Sequence, residues 1–188
     1  MKKSKDKDFD IIFQINEGDT SLFRVLVDKY KDASFSLARS ILRNKEDAED
    51  ALQESYIRAF SGLKRFKFKS SFSTWLYKIV VNTCNTRYEN LKRQHLNIHF
   101  DSDLNTEIPD INSVLTDIII LEQKVLVNKI LDTLKAEESL LLRLYYLEEL
   151  SIDEIKQITE FKDSKAKVTL YRARKSFQKE YEKQSIKV

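Results

Sequence analysis

Glycine and proline are scarce in this chain, whose 188 residues include 2 glycines and 1 proline. Because strands need turn residues at short intervals, we expect such a chain to fold almost entirely into helices. The single cysteine, Cys84, excludes an internal disulfide. No apolar run approaches the roughly 18 residues that span a bilayer. The N-terminal sequence MKKSKDKD lacks the apolar block of a signal peptide. We therefore expect a cytoplasmic protein without membrane insertion.

Charged residues are segregated along the sequence, although the net charge is only +3. Residues 58–93 are rich in lysine and arginine and contain one acid, Glu89. Residues 95–123 contain acids but no lysine or arginine, and residues 162–183 are basic again. Two basic regions flanking an acidic one favour a polyanionic partner that is contacted at two places. Solvated helix faces without any partner would give a similar pattern.

Apolar residues recur every three or four positions through most of the chain, which predicts a series of helices. A short helix around Ile11, Ile12 and Ile15 should end at Gly18-Asp19. The later helices are expected from Leu22 to about Leu42, from Asn44-Lys45 to Ser61, from Ser71 or Ser73 towards Lys92, from Val114 to Leu134, from Glu137 to Leu147, from Ser151 to Thr159 and from Ser164 to about Glu182. Residues 97–112 hold the only proline, Pro109, and several acids, and they predict a linker.

The helix expected over residues 45–61 has two different faces. Its apolar stripe consists of Ala48, Leu52, Tyr56, Ala59 and Leu63. A separate acidic face consists of Asp47, Asp50 and Glu54, with Gln53 and Ile57 beside them. The helix N-terminus favours acids in the first turn, but this does not account for Glu54. Because an acidic face would repel nucleic acid, it is better suited to a basic or mixed protein partner.

The stretch RFKFKSSFSTWLYKIVVN, residues 65–82, combines aromatic and basic side chains without an acid. In its helix, Trp75 shares the apolar face and is expected in the core. The opposite face presents Thr74, Lys78, Asn82 and Asn85, and the preceding loop interleaves Phe66 and Phe68 with Lys64, Arg65, Lys67 and Lys69. Cations can follow a phosphate backbone, and an aromatic surface can receive an unstacked base. In the alternative reading the phenylalanines only pack two helices together, which for Phe66 is at least equally favoured.

The C-terminal region has the pattern of a helix-turn-helix. Ser151-Ile152-Asp153-Glu154 is a capping box that starts a short helix, and a brief turn leads to the basic helix SKAKVTLYRARKSF. The second helix of such a motif enters the major groove of DNA. Its buried stripe should be Ala166, Leu170, Ala173 and Phe177. Its outward-facing residues are Lys165, Lys167, Thr169, Arg172 and Arg174.

Three segments, in order, resemble bacterial sigma factors of the sigma-70 family, in the extracytoplasmic-function (ECF) group. They are NKEDAEDALQESYIRAF, RFKFKSSFSTWLYKIVVNTC, and LSIDEIKQI followed by SKAKVTLYRARKSF. The resemblance implies an all-α fold with two small helical domains joined by an acidic linker. The region 2-like bundle would span residues 9–94, the linker residues 95–112, and the region 4-like helix-turn-helix domain residues 113–183.

The resemblance also implies a function: binding to core RNA polymerase and promoter-specific initiation of transcription. Such a protein is not an enzyme and needs no cofactor or metal, and many relatives have an anti-sigma factor as a partner. The implied core polymerase contacts are Asp47, Asp50, Gln53, Glu54 and Ile57. The implied contacts to the minus-ten element are Arg65, Phe66, Lys67, Lys69, Ser70, Ser71, Lys78 and Asn82. The implied contacts to the minus-thirty-five element are Lys165, Lys167, Thr169, Arg172 and Arg174.

Four positions depart from the family pattern. Phe68 stands where glycine is usual, and Lys135 stands where proline is common. Lys156 replaces an alanine of the first helix of the motif, and Thr169 takes a place that often holds arginine or serine. Because Lys156 lies where two helices normally touch, we expect its stem to run along the surface and its ammonium group to reach outward.

Two functions of other classes remain as alternatives. A helix-turn-helix regulator that binds duplex DNA without polymerase would account for the C-terminal half, but it would leave the acidic face and the aromatic loop unused. A metal site could use His95 and His99 with Cys84 or Asp101. The metal site is disfavoured because both histidines lie in the expected linker without further paired ligands.

Overall fold

The computed structural model describes residues 2–94 and 115–185, with side chains described for residues 8–93 and 123–184. Within these ranges the chain forms helices and no strand, which confirms the all-α prediction. The α-helices are α1 (Lys2–Asn16), α2 (Phe23–Leu42), α3 (Lys45–Gly62), α4 (Phe72–Gln94), α5 (Leu115–Thr133), α6 (Ala136–Leu142), α7 (Ile152–Thr159) and α8 (Asp163–Ser185). The linker expected over residues 97–112 lies outside the described residues.

Local capping sets the starts of the helices where the sequence predicted them. The Asn44 side chain accepts a hydrogen bond from the Asp47 N–H at 2.9 Å and begins α3. The capping box of α7 is present, since the Ser151 hydroxyl accepts from the Glu154 N–H and the Glu154 carboxylate accepts from the Ser151 N–H. One boundary differs: the helix expected to reach Leu147 is α-helical only to Leu142 and ends in a π-helical turn, Arg143–Leu147.

Helices α2, α3 and α4 form a bundle in the N-terminal half, and α1 packs against it. Its core includes Leu26, Leu37, Ala48, Leu76 and Val80. Helix α1 is fixed by a buried carboxylate, Asp8, which accepts hydrogen bonds from the Tyr30 hydroxyl and from the Lys29 ammonium. Burial and the neighbouring Asp8 carboxylate raise the pKa of Tyr30 far above its ordinary value, so this hydroxyl keeps its proton and remains a donor.

In the C-terminal half, α6, α7 and α8 pack around a second set of apolar residues. These include Leu141, Leu144, Ile155, Ile158 and Leu170. The predicted inner stripe of α8 is confirmed at Ala166, Leu170 and Ala173, which are buried, and Phe177 packs against the core. The short helix α7, the turn after it and the longer helix α8 therefore have the order and packing of a helix-turn-helix.

The two halves share one apolar cluster, because α6 packs on α2 and α7 packs on α4. A buried arginine, Arg143, joins them by donating to Ser36 Oγ (2.6 Å), Asn128 Oδ1 (2.8 Å) and Asp132 Oδ1 (2.7 Å). Arg43 at the end of α2 donates to the main-chain carbonyls of Asp132 and Leu134. Among the described helices, none is both long enough and apolar enough to cross a membrane.

Candidate partner and nucleic-acid interfaces

The acidic residues of α3 lie along one exposed side of the helix, as the sequence predicts. Asp47 and Asp50 lie one turn apart, and both accept hydrogen bonds from Arg87 Nη2 of α4, at 2.8 Å and 2.9 Å. Glu54, one turn further on, forms an exposed ion pair with Arg58. Sequence reasoning missed Arg87, because nothing in the local pattern of α4 shows that it meets α3.

Polar and apolar exposed side chains lie side by side on α3. The side chain of Ile57 is 68% exposed, and Gln53 and Glu54 are exposed next to it. Phe60, one turn further along the helix, is also exposed. An exposed apolar residue beside acids and an amide has the mixed composition of a protein-binding surface. This surface is available for a partner without any rearrangement of α3.

The loop before α4 contains one buried and one exposed phenylalanine. Phe66 is 7% exposed, and its ring lies 5.1 Å from the Trp75 ring, centroid to centroid. Trp75 is partly buried and packs against the core, as predicted. The packing interpretation of Phe66 is therefore the one that the geometry supports. Around it, the basic side chains of Arg65, Lys67 and Lys69 are exposed.

Phe68 has a left-handed backbone, with φ of 53°, and its side chain is 43% exposed. Its ring meets Phe9 edge to face, at 5.0 Å between centroids, and lies 4.9 Å from the ring of Phe66. A left-handed φ is the conformation that glycine adopts most readily. Phe68 therefore has a backbone conformation suited to the glycine that is usual in the family. Its side chain adds an aromatic surface to the loop.

The two serines of the loop begin helix α4. The Ser71 hydroxyl accepts from the Thr74 N–H at 3.2 Å, and the Ser70 hydroxyl donates to the Ser71 carbonyl oxygen at 3.2 Å. Ser71 is buried and Ser70 is half-buried. Both hydroxyls therefore support the shape of the loop in this structure.

The polar face of α4 is divided into a covered part and an exposed part. Thr74 is 2% exposed, and its hydroxyl lies 3.4 Å from Glu154 of α7. Lys78 forms an ion pair with Glu160 at 3.0 Å, whereas Asn82 and Asn85 are exposed. The expectation that Thr74 faces outward is wrong, because α7 packs onto this side of α4.

A partly buried hydrogen bond lies beside the covered part of α4. The Tyr77 hydroxyl donates to a carboxylate oxygen of Glu148, which follows the π-helical turn. Burial raises the pKa of Glu148 above its ordinary value, although the hydrogen bond from Tyr77 acts in the opposite direction. Together, Glu148, Glu154 and Glu160 place three carboxylates over α4. Of these three residues, the sequence predicts a structural role only for Glu154, as a helix cap.

The basic residues predicted on α8 lie along its outer side. Arg172 is exposed and Thr169 is half-buried. Lys165 pairs with Glu137 at 2.7 Å and lies 3.7 Å above the centre of the Phe161 ring. Lys167 pairs with Asp163 at 2.7 Å, and Arg174 Nε donates to the Tyr146 hydroxyl at 2.8 Å. These exposed contacts are weak enough to be exchanged for phosphates or base edges.

The ammonium group of Lys156 reaches outward, as expected, to Asp153 at 2.8 Å and Asp163 at 3.1 Å. Hydrogen bonds to Asp153 and Asp163 raise the pKa of this ammonium group.

The described residues contain no group of three or more His, Cys, Asp or Glu side chains that could hold a metal ion. His95, His99 and Asp101 lie outside the described residues. Cys84 is buried, and burial raises the pKa of its thiol to about 12. A thiol with such a pKa stays protonated near neutral pH, which makes it a poor metal ligand.

Two family models match this chain in the order that the fold suggests. The model of Sigma-70 region 2 matches residues 26–94, and the model of Sigma-70, region 4 matches residues 124–177. The first match covers most of α2 with α3 and α4. The second match covers the end of α5 with α6, α7 and most of α8.

Curated relatives match along most of the chain. The ECF RNA polymerase sigma factor SigW of Bacillus subtilis (strain 168) is 29% identical over 178 residues, which are 90% of this chain and 94% of the relative. The ECF RNA polymerase sigma-E factor of Haemophilus influenzae is 27% identical over 171 residues, 87% of this chain and 89% of the relative.

Two solved structures have a similar fold. The sigma factor RpoE from Bartonella quintana, in complex with the anti-sigma factor NepR, has a TM-score of 0.68 and 20% identity, covering 84% of this chain and 94% of that one. CnrH in complex with the cytosolic domain of CnrY has a TM-score of 0.61 and 18% identity, covering 92% of this chain and 95% of that one. At these identities the likeness shows the fold alone.

Proposed function

The chain belongs to the ECF group of the sigma-70 family, and from this premise we propose that it binds core RNA polymerase and directs it to specific promoters. The observation that carries the proposal is the presence of both sigma regions, in order, on one chain that also has an exposed acidic face on α3 and two basic surfaces. A regulator that binds duplex DNA without polymerase needs only the second region. That alternative is not favoured, because it leaves the α3 face and the aromatic loop without a role.

We propose that the α3 face docks on core polymerase through Asp47, Asp50, Gln53, Glu54 and Ile57. The exposed side chain of Ile57 would supply apolar area, and the neighbouring carboxylates would select a basic surface. Asp47 and Asp50 share Arg87 inside the chain, so part of their charge is already compensated. Glu54 pairs with Arg58 on its own helix, in an exposed contact that a basic partner can replace, and Ile57 carries no charge. Replacement of Glu54 or Ile57 therefore tests docking without breaking the α3–α4 contact.

We propose that the loop and α4 contact the minus-ten element and that α8 contacts the minus-thirty-five element. In the first surface Arg65, Lys67 and Lys69 would bind phosphates, and Asn82 would offer its amide to a base edge. Phe66 and Ser71 act there by holding the loop, because both are buried. In the second surface the contacts are Lys165, Lys167, Thr169, Arg172 and Arg174.

Two weak DNA-binding surfaces on one chain need a larger assembly to open a promoter. Extracting a base from a duplex costs about a few kcal/mol, which is comparable to what one pocket returns. Anchoring by α8 raises the local concentration of promoter DNA at the loop, and polymerase supplies the remaining contacts. In this assignment the polymerase carries out catalysis, and the chain has no catalytic activity of its own. Its place of action is the cytoplasm, where polymerase and DNA are found.

An anti-sigma factor is a further partner that we propose for this chain. RpoE and CnrH, which share its fold, were each solved with a bound protein, and NepR is described as an anti-sigma factor.

The experiment that tests the proposal is run-off transcription by core polymerase, with and without the purified chain, on genomic fragments. We expect defined start sites that depend on the chain. Glu54→Lys should weaken holoenzyme assembly, whereas Glu17→Lys, the same charge change at an exposed site outside α3, should not. If no fragment gives a defined start, the proposed function is wrong.

A second variant separates DNA contact from polymerase docking. Asn82→Ala should lower promoter opening about tenfold and leave holoenzyme assembly unchanged, because one good base contact is worth about 1–3 kcal/mol, or about fivefold to 150-fold. Asn90→Ala, on the same helix but further from the loop, is the control. Equal opening by the Asn82 variant would remove this residue from the proposed surface.

A further inference from the structure

We infer that the exposed ring of Phe68 is a stacking surface for an unpaired base of the promoter, and that it helps to set which base is captured. The inference rests on the proposed function and goes beyond it, because it names the chemistry by which this loop holds DNA. It concerns a position at which the chain departs from the pattern that its relatives share.

The backbone at Phe68 is the first observation. A bulky aromatic residue with φ of 53° is a genuine outlier, and such residues persist only where the surroundings hold them. Here the surroundings are the rings of Phe9, at 5.0 Å, and Phe66, at 4.9 Å between centroids. Glycine would adopt the same backbone without strain, so the local fold does not require a ring at this position.

The exposure of Phe68 is the second observation. Phe66 already fills the space between the loop and α4, since it is buried against Trp75 and Phe72. Phe68 lies outside this packed pair and remains 43% exposed. Its ring contacts the rings of Phe9 and Phe66, and these contacts would limit its movement when a base approaches. A supported, partly exposed ring is the form of a stacking platform.

The charges around Phe68 are the third observation. Arg65, Lys67 and Lys69 are exposed on the same loop, and residues 65–82 contain no acid. Basic side chains that follow the backbone, combined with aromatic rings that hold the bases, are the common composition of single-strand binding surfaces. A strand bound by these cations would therefore bring a base within reach of the Phe68 ring.

The test compares four variants in holoenzyme on a promoter that the wild-type chain opens. Phe68→Leu and Phe68→Gly remove the ring, and Phe68→Tyr and Phe68→Trp keep one. Stacking of a base on an aromatic side chain contributes substantially to the affinity for single strands. The leucine and glycine variants should therefore lower open-complex formation about tenfold. The tyrosine and tryptophan variants should stay within about threefold of wild type. Circular dichroism and holoenzyme assembly establish that each variant is folded and docked.

Abasic sites in the promoter identify the base that stacks. Each non-template position of the minus-ten region is replaced in turn by an abasic residue, and opening is measured with the wild type and with Phe68→Leu. At one position the abasic change should impair the wild type but have little further effect on the variant. If both proteins respond equally at every position, no base depends on the ring and the inference is overturned.

The salt dependence of DNA binding distinguishes the contribution of base stacking from that of phosphate contacts. Lys69→Gln should reduce the dependence of DNA binding on salt concentration, because one phosphate contact is lost. Phe68→Leu should lower affinity without changing that dependence. If the wild type opens no promoter, the proposed function fails. If the wild type opens a promoter and the leucine and glycine variants match it, only the stacking inference fails.

Discussion

Side chains other than glycine occupy left-handed backbone positions at Arg43, Phe68, Glu149 and Glu160. Three of these side chains make a contact that glycine could not make. Arg43 holds two carbonyl oxygens of the C-terminal half, Phe68 packs on Phe9, and Glu160 pairs with Lys78. The scarcity of glycine thus has a structural counterpart, since turn positions that glycine would favour carry side chains that link different parts of the chain.

Asp132 compensates a buried positive charge. Arg143 is 4% exposed and Arg39 also approaches Asp132, at 3.8 Å. Burial lowers the pKa of Arg143, and the Asp132 carboxylate acts in the opposite direction by favouring the charged guanidinium. Asp132→Asn should therefore lower the free energy of unfolding by roughly 3 kcal/mol, the lower end for breaking a buried ion pair. Urea denaturation measures this change.

The control for Asp132 is Asp153→Asn, which breaks the exposed ion pair with Lys156. That change should cost less than about 1 kcal/mol, because surface pairs are screened by water. Similar losses in both variants would mean that the Arg143 network contributes no more than a surface contact.

Individual helices could be predicted from the sequence, whereas contacts between distant helices could not. The capping box at Ser151, the cap at Asn44 and the inner stripe of α8 are local patterns that involve neighbours three or four residues apart. The contact of Thr74 with Glu154 joins residues that lie 80 positions apart in the sequence. Periodicity shows that α4 has a polar face, but it does not show which helix covers that face.

The α4–α7 contact contains a carboxyl group whose titration affects stability. Burial favours the protonated form of Glu148 and raises its pKa above the ordinary value of 4.5. The folded state then holds this proton more tightly than the unfolded state does. The stabilising contribution of protonated Glu148 is present below pH 4.5 and is lost as pH rises through the raised pKa.

Glu148→Gln removes this titration and keeps an acceptor for the Tyr77 hydroxyl. We expect the variant to gain stability relative to wild type as pH rises from 4.5 through the raised pKa, and the difference to be constant above it. Urea denaturation across this pH range gives the difference. Glu149→Gln makes the same chemical change at the exposed neighbouring position and serves as the control. If the stability of Glu148→Gln relative to wild type instead increased as pH falls, burial of Glu148 would not be the cause of its pKa shift.

The packing of the two halves has a consequence for DNA access. Glu148, Glu154 and Glu160 lie over the same part of α4 that carries Lys78, which the family resemblance implies as a minus-ten contact. Carboxylates at this place compete with phosphates for the same cation and repel them from the rest of the helix. Asn82 and the basic loop remain exposed, so the obstruction is partial. The arrangement in this structure therefore suits the free chain better than a chain with promoter DNA on α4.

Bridging α4 to α7 tests whether this contact must open. In the double variant Lys78→Cys and Glu160→Cys, the new thiols replace two solvent-accessible side chains that form an ion pair across the α4–α7 contact, and a short bismaleimide should join them. The native Cys84 should not react, because it is buried and its pKa is raised to about 12. We expect bridging to lower open-complex formation in a run-off assay relative to the same variant before bridging. Because the two samples differ only in the bridge, any effect of the substitutions themselves cancels. Equal promoter opening before and after bridging would show that DNA reaches α4 with α7 in place.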